Sequence, residues 1–301
     1  MREITINSKT KLYAILGEPI SHSLSPVIMN TEFDRRGMDC AFVALKSNKE
    51  TIDTAMKALR DFGLSGYVFT MPVKETAVTY MDELKAEAEI IEAVNCAKLE
   101  NGKLIGYNTD SLGFYEAIMH GNPNKKKITK AFVMGMGGFA KAAVTQLALQ
   151  GVNEIIVANR LSETEYVASF DAFSKRLKRH VPNIRLSYVD WKPELWTDAL
   201  YGADVIANGT SNGMYGKGDL AEIFPFEATS KYAIVFDAVY APLETAFIKK
   251  ASELGHPVVD GLWLLVHQGL CSFRIWTGIT VEAEEMRKNA LDFLRENGKD
   301  K

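Results

Sequence analysis

Short apolar runs alternate with amphipathic stretches along most of the chain. The first run covers residues 12–16 and ends at a glycine, and similar runs follow at residues 41–45 and 66–70. Runs of this length are typical of strands that are buried on both faces of a parallel sheet. Ser25 and Pro26 predict a helix start after the first strand, with Ser25 as the N-cap and the proline at the first helical position.

A second alternating pattern begins near residue 130. It predicts a strand at residues 131–134, then a glycine turn, and then a helix at residues 139–150. Further elements are predicted along the rest of the chain: strands at residues 154–158, 184–188, 204–208 and 233–237, and helices at residues 166–179 and 281–297. Strands that alternate with helices favour an α/β protein, and this succession is typical of a nucleotide-binding βαβ architecture.

Composition and charge narrow the class of protein. The chain of 301 residues is long enough for two modest domains, and its formal net charge of −3 lacks the basic surplus that nucleic-acid binding requires. Three widely spaced cysteines without a C-x-x-C motif predict reduced thiols. No apolar stretch has the length of a signal-peptide core or of a membrane span. We therefore expect a soluble, cytoplasmic protein with neither a nucleic-acid nor a membrane partner.

The turn Gly135-Met136-Gly137-Gly138 follows one predicted strand and opens a helix. Glycines allow the backbone to approach a pyrophosphate closely, and the helix N-terminus favours its negative charge. A glycine turn alone is a weak signal, because close packing of a helix on a strand also requires glycine. The strand, turn, helix and second strand at the expected spacing favour a dinucleotide site.

The segment NRLSE at residues 159–163 bears on the choice of cofactor. A carboxylate at this place selects NAD, whereas an arginine can accept the 2′-phosphate of NADP. Arg160 offers a planar face to adenine and a fork to a phosphate, although a surface position is the simpler alternative. Glu163 lies close by, and no neighbouring basic residue supports Arg160. We expect NAD or NADP, with NAD slightly favoured and use of both left open.

Lys74 and Asp110 are candidates for proton transfer. Each is predicted to lie on a loop just past a strand, so that the two could meet in a cleft. Their attraction would then hold the lysine in place and tune its proton affinity. A surface lysine is the commoner case, and these residues alone leave the choice open. No closely spaced His, Cys and carboxylate cluster predicts a metal site.

An ordered set of motifs runs from residue 17 to residue 278. The motifs are GEPISHSLSP at residues 17–26, TMPVK at 70–74, AVN at 93–95, GYNTD at 106–110, NGTSNGM at 208–214, DAVYAP at 237–242 followed by Thr245, GLWLLVHQ at 261–268 and WTG at 276–278. Together they resemble the shikimate/quinate dehydrogenase family. The resemblance implies a nicotinamide-dependent oxidoreductase that acts on a ring alcohol of shikimate, quinate or both.

The resemblance also implies roles for individual residues. Lys74 would be the catalytic proton-transfer group and Asp110 its partner, whereas His22 would have a structural role. The implied substrate-binding residues are Ser23 and Ser25 at the carboxylate, Thr70, Asn95 and Gln268 at ring hydroxyls or the carboxylate, and Tyr240. The implied cofactor-binding residues are Gly135, Gly137, Gly138, Phe139, Asn159, Arg160, Asn208, Thr210 and Gly261.

Several positions depart from the family pattern. Val68 stands where most members have asparagine, and Leu264 stands where the motif has methionine. The segment after Arg160 lacks the threonine and the later basic residue of strongly NADP-dependent members. The loss of the asparagine at residue 68, with Asn-Gly-Thr in place of Asn-Ala-Thr, favours the quinate/shikimate dehydrogenase subgroup. A strictly biosynthetic, NADP-dependent shikimate dehydrogenase is the alternative.

The resemblance implies an α/β fold of two domains. An N-terminal α/β substrate domain at residues 1–112 would be completed by C-terminal helices at 265–301, with a Rossmann-type doubly wound parallel-sheet cofactor domain at 113–264. A catalytically silent ligand sensor and a folate-linked dehydrogenase are other interpretations. Retention of Lys74 and Asp110 argues against the first, and the serines and Gln268 argue against the second. Both a monomer and a homodimer are compatible with the sequence.

Overall fold

The computed structural model describes residues 6–21, 23–122, 124–215 and 217–296. The chain divides into two compact units. Unit 1 contains the described residues of Met1–Thr109 and Gln268–Asn297, and unit 2 contains those of Asp110–His267. Within the described residues, no helix combines the length and the apolar character that crossing a membrane requires.

Strands and helices alternate along the chain. The strands are β1 Lys11–Gly17, β2 Cys40–Lys46, β3 Gly66–Phe69, β4 Glu83–Leu84, β5 Cys96–Glu100, β6 Lys103–Tyr107, β7 Lys130–Met134, β8 Glu154–Asn159, β9 Arg185–Asp190, β10 Val205–Asn208, β11 Ile234–Asp237 and β12 Val258–Val259. The α-helices are α1 Ser25–Arg35, α2 Ile52–Asp61, α3 Ala86–Ile91, α4 Thr109–His120, α5 Gly138–Leu149, α6 Thr164–His180, α7 Thr197–Leu200, α8 Leu220–Ile223, α9 Ala246–Glu253, α10 Gly261–Thr277 and α11 Ala283–Glu296. The eight strands and three helices that were predicted with bounds are all present, with ends that differ by a few residues, whereas the apolar pattern did not predict α4 or α10.

The sheet of unit 1 has the strand order β2-β1-β3-β5-β6-β4. Strands β1, β2 and β3 are parallel, whereas β5 pairs antiparallel with both β3 and β6. The apolar pattern did not predict the β5–β6 hairpin. It turns on Asn101 and Gly102, whose φ angles of 51° and 79° suit the tight turn that an Asn-Gly pair favours.

The sheet of unit 2 has the order β12-β11-β10-β7-β8-β9, and all of its strand pairs are parallel. The chain order reverses between β7 and β10, which are neighbours in the sheet. This is the doubly wound arrangement predicted for a dinucleotide-binding unit. Ligands bind such sheets at the carboxyl ends of the strands, beside the point of reversal.

The start of α1 differs from the prediction. Ser25 is the first residue inside the helix rather than its N-cap, and Leu24 occupies the cap position without a side-chain hydrogen bond. The backbone N–H of Ser25 instead donates to Oγ of Ser23 at 3.3 Å. Since Pro26 has no N–H to satisfy, Ser23 and the proline together reduce the number of unpaired donors at this end. His22 lies outside the described residues.

The last turns of α10 pack into the core of unit 1 around Trp276. Its indole N–H donates to the carbonyl of Ala97 at 3.0 Å, and its ring centroid lies 5.0 Å from that of Tyr13. A Cβ atom on Gly66 would lie 2.6 Å from Nε1 of Trp276. Glycine in β3 therefore allows the indole ring to lie directly against the strand.

Candidate functional site

A cavity of about 430 Å³ lies in unit 2. Three chain segments supply most of its wall: the turn after β7, the segment after β8 and the loop after β10. These three strands are neighbours in the sheet, and each segment follows the carboxyl end of its strand. The volume falls within the range of small-molecule sites, and the position is where a doubly wound sheet binds dinucleotides.

The glycine turn fits a pyrophosphate. Gly135 has a φ of 102°, and Cβ on that residue would lie 3.1 Å from Cγ2 of Thr210 and 3.2 Å from the carbonyl oxygen of Gly209. A Cβ on Gly137 would meet no atom within 4 Å, so the cavity side of the turn is open. Helix α5 begins at Gly138, and its first N–H groups have no helical acceptor. An anion over this turn would satisfy them.

Phe139 does not line the cavity. Its ring is stacked on Phe236 with centroids 5.6 Å apart and meets Phe114 edge to face at the same distance. The side chain therefore packs helix α5 onto the sheet. The assignment of Phe139 to the cofactor could hold only for its main chain.

Arg160 lies at the wall of the cavity and is paired with a carboxylate. Its Nη1 lies 3.0 Å from Oε1 of Glu163, and the two side chains are 62% and 37% exposed. An exposed ion pair of this kind contributes only about 0–1 kcal/mol. A phosphate can therefore compete with Glu163 for the guanidinium group. Asn159 also lines the cavity, and its amide donates to the carbonyl of Arg160.

Three further side chains line the cavity and were not predicted from the sequence. Tyr166 in α6 and Trp191 after β9 supply aromatic surface on the side of Arg160. Lys217, in the loop after β10, adds a second cation. The sequence neighbours of Arg160 include no second basic residue. Lys217 comes from another strand, and only the sheet order places it in the same cavity.

Asn208 does not line the cavity. It holds the loop after β10 in place through buried hydrogen bonds. It is fully buried, and its side-chain amide donates to Oδ1 of Asp237 at 2.9 Å and to the carbonyl of Asn212 at 3.0 Å. Its own Oδ1 accepts from the N–H of Thr210 at 3.0 Å. Thr210, which does line the cavity, is therefore held by Asn208.

Asp237 is the buried anchor of this network. Besides the amide of Asn208, its carboxylate accepts from the Thr245 hydroxyl at 2.6 Å and from the N–H of Val239 at 3.0 Å. Burial raises the pKa of Asp237 to about 6, and the hydrogen bonds from Thr245, Val239 and Asn208 offset only part of that effect. Asn208 of the NGTSNGM motif and Asp237 of the DAVYAP motif thus act together to hold the loop after β10 in place.

Gly261 and Tyr240 lie outside the cavity wall. Gly261 is the first residue of α10, and its Cβ would lie 2.4 Å from the carbonyl oxygen of Val239. Glycine is required there because helix and backbone approach closely. Tyr240 follows β11 in unit 2 and is 46% exposed.

Two of the predicted substrate residues, Asn95 and Gln268, belong to one buried polar cluster in unit 1. Oδ1 of Asn95 accepts from the backbone N–H of Thr109 at 2.5 Å and from its hydroxyl at 3.1 Å. The Thr109 hydroxyl also lies 3.5 Å from Oε1 of Gln268 and 3.2 Å from Oγ of Ser272. Thr109 therefore joins Asn95 to Gln268, a role that its place in the GYNTD motif could have indicated.

Thr70 and the serines follow strands β3 and β1, which are parallel neighbours. The backbone N–H of Thr70 donates to the carbonyl of Leu16 at 2.9 Å. A Cβ on Gly17 would lie 2.2 Å from Cγ2 of Thr70, so the first glycine of the GEPISHSLSP motif makes room for the threonine. Ser25 is buried and Ser23 is half-buried. The carboxyl ends of β1 and β3 therefore present these residues at the same edge.

Lys74 and Asp110 belong to different units. Lys74 lies in the turn after β3, where its carbonyl accepts from the N–H of Val94 at 2.9 Å. Asp110 is not on a loop, as predicted, but is the second residue of α4, where the helix N-terminus favours a carboxylate. Their pairing stays a prediction. Within the described part of the chain, no three His, Cys, Asp or Glu side chains are grouped to hold a metal ion.

Comparison with known proteins identifies the family of this chain. Residues 15–97 match the model of the shikimate dehydrogenase substrate binding domain, and residues 261–291 match that of the shikimate 5′-dehydrogenase C-terminal domain. Shikimate dehydrogenase (NADP(+)) of Methanocaldococcus jannaschii is 34% identical over 289 residues, which cover 95% of this chain and 98% of that protein.

Two solved structures resemble the chain over nearly its full length. One is a shikimate dehydrogenase in complex with NADP+, with 32% identity, a TM-score of 0.82 and coverage of 96% of this chain and 97% of that chain. The other is quinate dehydrogenase from Corynebacterium glutamicum in complex with NAD, with 26% identity, a TM-score of 0.82 and coverage of 94% and 99%. The chain therefore belongs to the shikimate dehydrogenase family.

Proposed function

We propose that this protein is an NADP-dependent shikimate dehydrogenase, which interconverts shikimate and 3-dehydroshikimate. The observation that carries the proposal is the 34% identity, over almost the whole of both chains, to an enzyme named for NADP(+) and shikimate. The slight preference for NAD and the quinate/shikimate subgroup, both drawn from the sequence, are less well supported. The biosynthetic alternative agrees better with the relatives.

The cavity of unit 2 is the proposed cofactor site. The open glycine turn suits the pyrophosphate, and Arg160 suits the 2′-phosphate because its pairing with Glu163 is exposed and weak. Unit 1 is the proposed substrate unit, in agreement with the substrate-binding model that matches residues 15–97. Ser23 and Ser25 would hold the carboxylate there, with Thr70, Asn95 and Gln268 at the ring hydroxyls or the carboxylate.

The proposed reaction moves a hydride and a proton. When bound, the nicotinamide group carries the hydride to or from the carbinol carbon. Lys74 accepts the hydroxyl proton during oxidation and returns it during reduction, and Asp110 orients Lys74. A positioned acid–base group of this kind typically contributes about a hundred-fold to ten-thousand-fold in rate. Thr109 holds Asn95 and Gln268 in position before substrate binds, so that less ordering is required on binding.

A matrix of two substrates and two cofactors tests the proposal. Rates of shikimate and quinate oxidation with NADP and with NAD are measured from the absorbance at 340 nm. We expect the highest kcat/KM for shikimate with NADP. No turnover with any combination would contradict the proposal and favour a ligand sensor.

Quinate oxidation with NAD is the second candidate function. It is favoured by the similarity to a quinate dehydrogenase in complex with NAD and by Val68, which is buried and apolar where most members have asparagine. The pairing of Arg160 with Glu163 also reduces the charge available to a 2′-phosphate. A higher kcat/KM for quinate with NAD than for shikimate with NADP would select this function.

A further inference from the structure

The loop after β10 carries a cation into the cofactor cavity that no family motif assigns. We propose that Lys217 binds the diphosphate bridge of the dinucleotide, the part that NAD and NADP share. The inference rests on the proposed function, because it takes the ligand to be a nicotinamide dinucleotide. It assigns Lys217 and Arg160 to different phosphates.

The sheet order separates the two cations. The segments after β10, β7 and β8 follow one another along the edge of the sheet, so the glycine turn after β7 lies between Lys217 and Arg160. Neighbouring strands lie about 4.8 Å apart, which puts the segments of the two cations roughly 10 Å apart at their strands. In this fold the ribose of adenosine lies at the end of the second strand, here β8, and the diphosphate lies over the glycine turn. Lys217 therefore approaches the diphosphate from the side opposite the 2′-phosphate.

Internal hydrogen bonds hold the loop that carries Lys217. The N–H of Gly213 donates to the carbonyl of Gly218 at 2.7 Å, and the N–H of Lys217 donates to that of Met214 at 2.9 Å. A Cβ on Gly218 would lie 2.6 Å from Oδ1 of Asn212, so the loop closes tightly at this point. The amide of Asn208 ties the same loop to the buried carboxylate of Asp237. The backbone of Lys217 is thus held in place by the fold.

The charges in the cavity wall favour the same assignment. Arg160 is engaged by Glu163, which leaves its charge partly neutralised before ligand binds. Lys217 is exposed at the cavity, and among the described residues no carboxylate forms an ion pair with its ammonium group. An ammonium group is a point charge that binds phosphate oxygens without a planar partner, which suits a diphosphate.

Direct binding measurements test the inference without relying on turnover. The dissociation constants of NADPH and NADH are measured by cofactor fluorescence for the wild type and for Lys217→Ala, Lys217→Arg and Arg160→Ala. We expect Lys217→Ala to weaken both cofactors by about ten-fold, the loss of one charge-assisted contact. Arg160→Ala should weaken NADPH much more than NADH. The effect of Lys217→Ala should shrink at high salt, because the site is exposed.

Two controls separate charge from structure. Lys217→Arg retains the charge and should bind both cofactors within about three-fold of the wild type. Lys231→Ala removes an exposed lysine of unit 2 that lies over the ring of Tyr232, outside the cavity wall, and should leave both constants unchanged. Circular dichroism of each variant checks that the fold is retained.

The contrary outcomes are distinct. Unchanged binding of both cofactors to Lys217→Ala would overturn the inference and leave the proposed function standing. Weaker binding of NADPH alone would also overturn the inference, because Lys217 would then bind the 2′-phosphate. A wild-type protein that binds neither cofactor would contradict the proposed function and the inference together.

Discussion

The side chain of Lys74 is the single group on which the proposed proton transfer depends. Lys74→Ala should lower kcat by at least about a hundred-fold, the lower range for loss of a positioned acid–base group. KM for shikimate should change far less, because the proposed carboxylate contacts of Ser23 and Ser25 remain. Steady-state kinetics at saturating NADP measure both constants.

A matched lysine variant controls this experiment. Lys57 in α2 carries the same charge, but its side chain is 73% exposed and pairs with Asp53 on the helix surface. Lys57→Ala should therefore leave kcat unchanged. Near-normal turnover in Lys74→Ala would show that another group transfers the proton.

Within strand β3, the packing of Trp276 on Gly66 makes a prediction about stability. A methyl group at residue 66 would lie 2.6 Å from the indole nitrogen and 2.7 Å from Cδ1 of Tyr13, and both rings are fixed in the core. Gly66→Ala should lower the free energy of unfolding by about 1–3 kcal/mol, the usual cost of overpacking. Urea unfolding followed by circular dichroism measures the change.

The control for Gly66 is a glycine with open space around it. A Cβ on Gly138 would meet no atom within 4 Å, and the residue begins α5. Gly138→Ala should therefore cause no loss of stability. An equal free energy of unfolding for Gly66→Ala and the wild type would mean that Trp276 can shift without cost.

Asp237 links β10 and β11, and its raised pKa predicts how stability depends on pH. Burial raises the pKa of Asp237 in the folded protein to about 6. The folded protein therefore binds a proton at this carboxylate more tightly than the unfolded chain does. This contribution to stability is fully present below the unfolded pKa of about 4 and is lost as pH rises to about 6. Relative to Asp237→Asn, the wild type should lose up to about 3 kcal/mol between pH 4 and pH 7.

Urea unfolding of both proteins across this pH range measures the difference. The substitution also exchanges a hydrogen-bond acceptor for a donor, which adds an offset that does not depend on pH. Only the slope therefore reports on the titration of Asp237. A difference in stability that stays constant from pH 4 to pH 7 would contradict the raised pKa.

For the molecule as a whole, the doubly wound sheet of unit 2 explains why separate motifs serve one cavity. The segments after β7, β8 and β10 are far apart in sequence but follow neighbouring strands. Parallel strands place all of their carboxyl ends at the same edge, where a cofactor meets several loops at once. Unit 1 applies the same principle at the ends of β1 and β3, where Ser23 and Thr70 follow parallel neighbours.

Local sequence patterns predicted much of the fold and the family of this protein. Apolar periodicity predicted the α/β class, eight of the strands and three of the helices, because burial in a parallel sheet demands short apolar runs. The ordered motifs predicted the family, and the spacing of the βαβ pattern predicted the glycine turn and Arg160 as cofactor contacts. Local rules were less reliable at element ends: Ser25 lies inside α1, Asp110 lies on a helix, and the Asn101-Gly102 hairpin was missed.

Tertiary structure decided which of these residues do which task. Phe139, Asn208 and Gly261 were expected to bind the cofactor, yet their side chains or close contacts support the fold instead of lining the cavity. Lys217 belongs to none of the motifs, and it lines the cavity. Sequence neighbours report local propensity, whereas a ligand site depends on strand order, which brings residues far apart in the chain to one edge of a sheet.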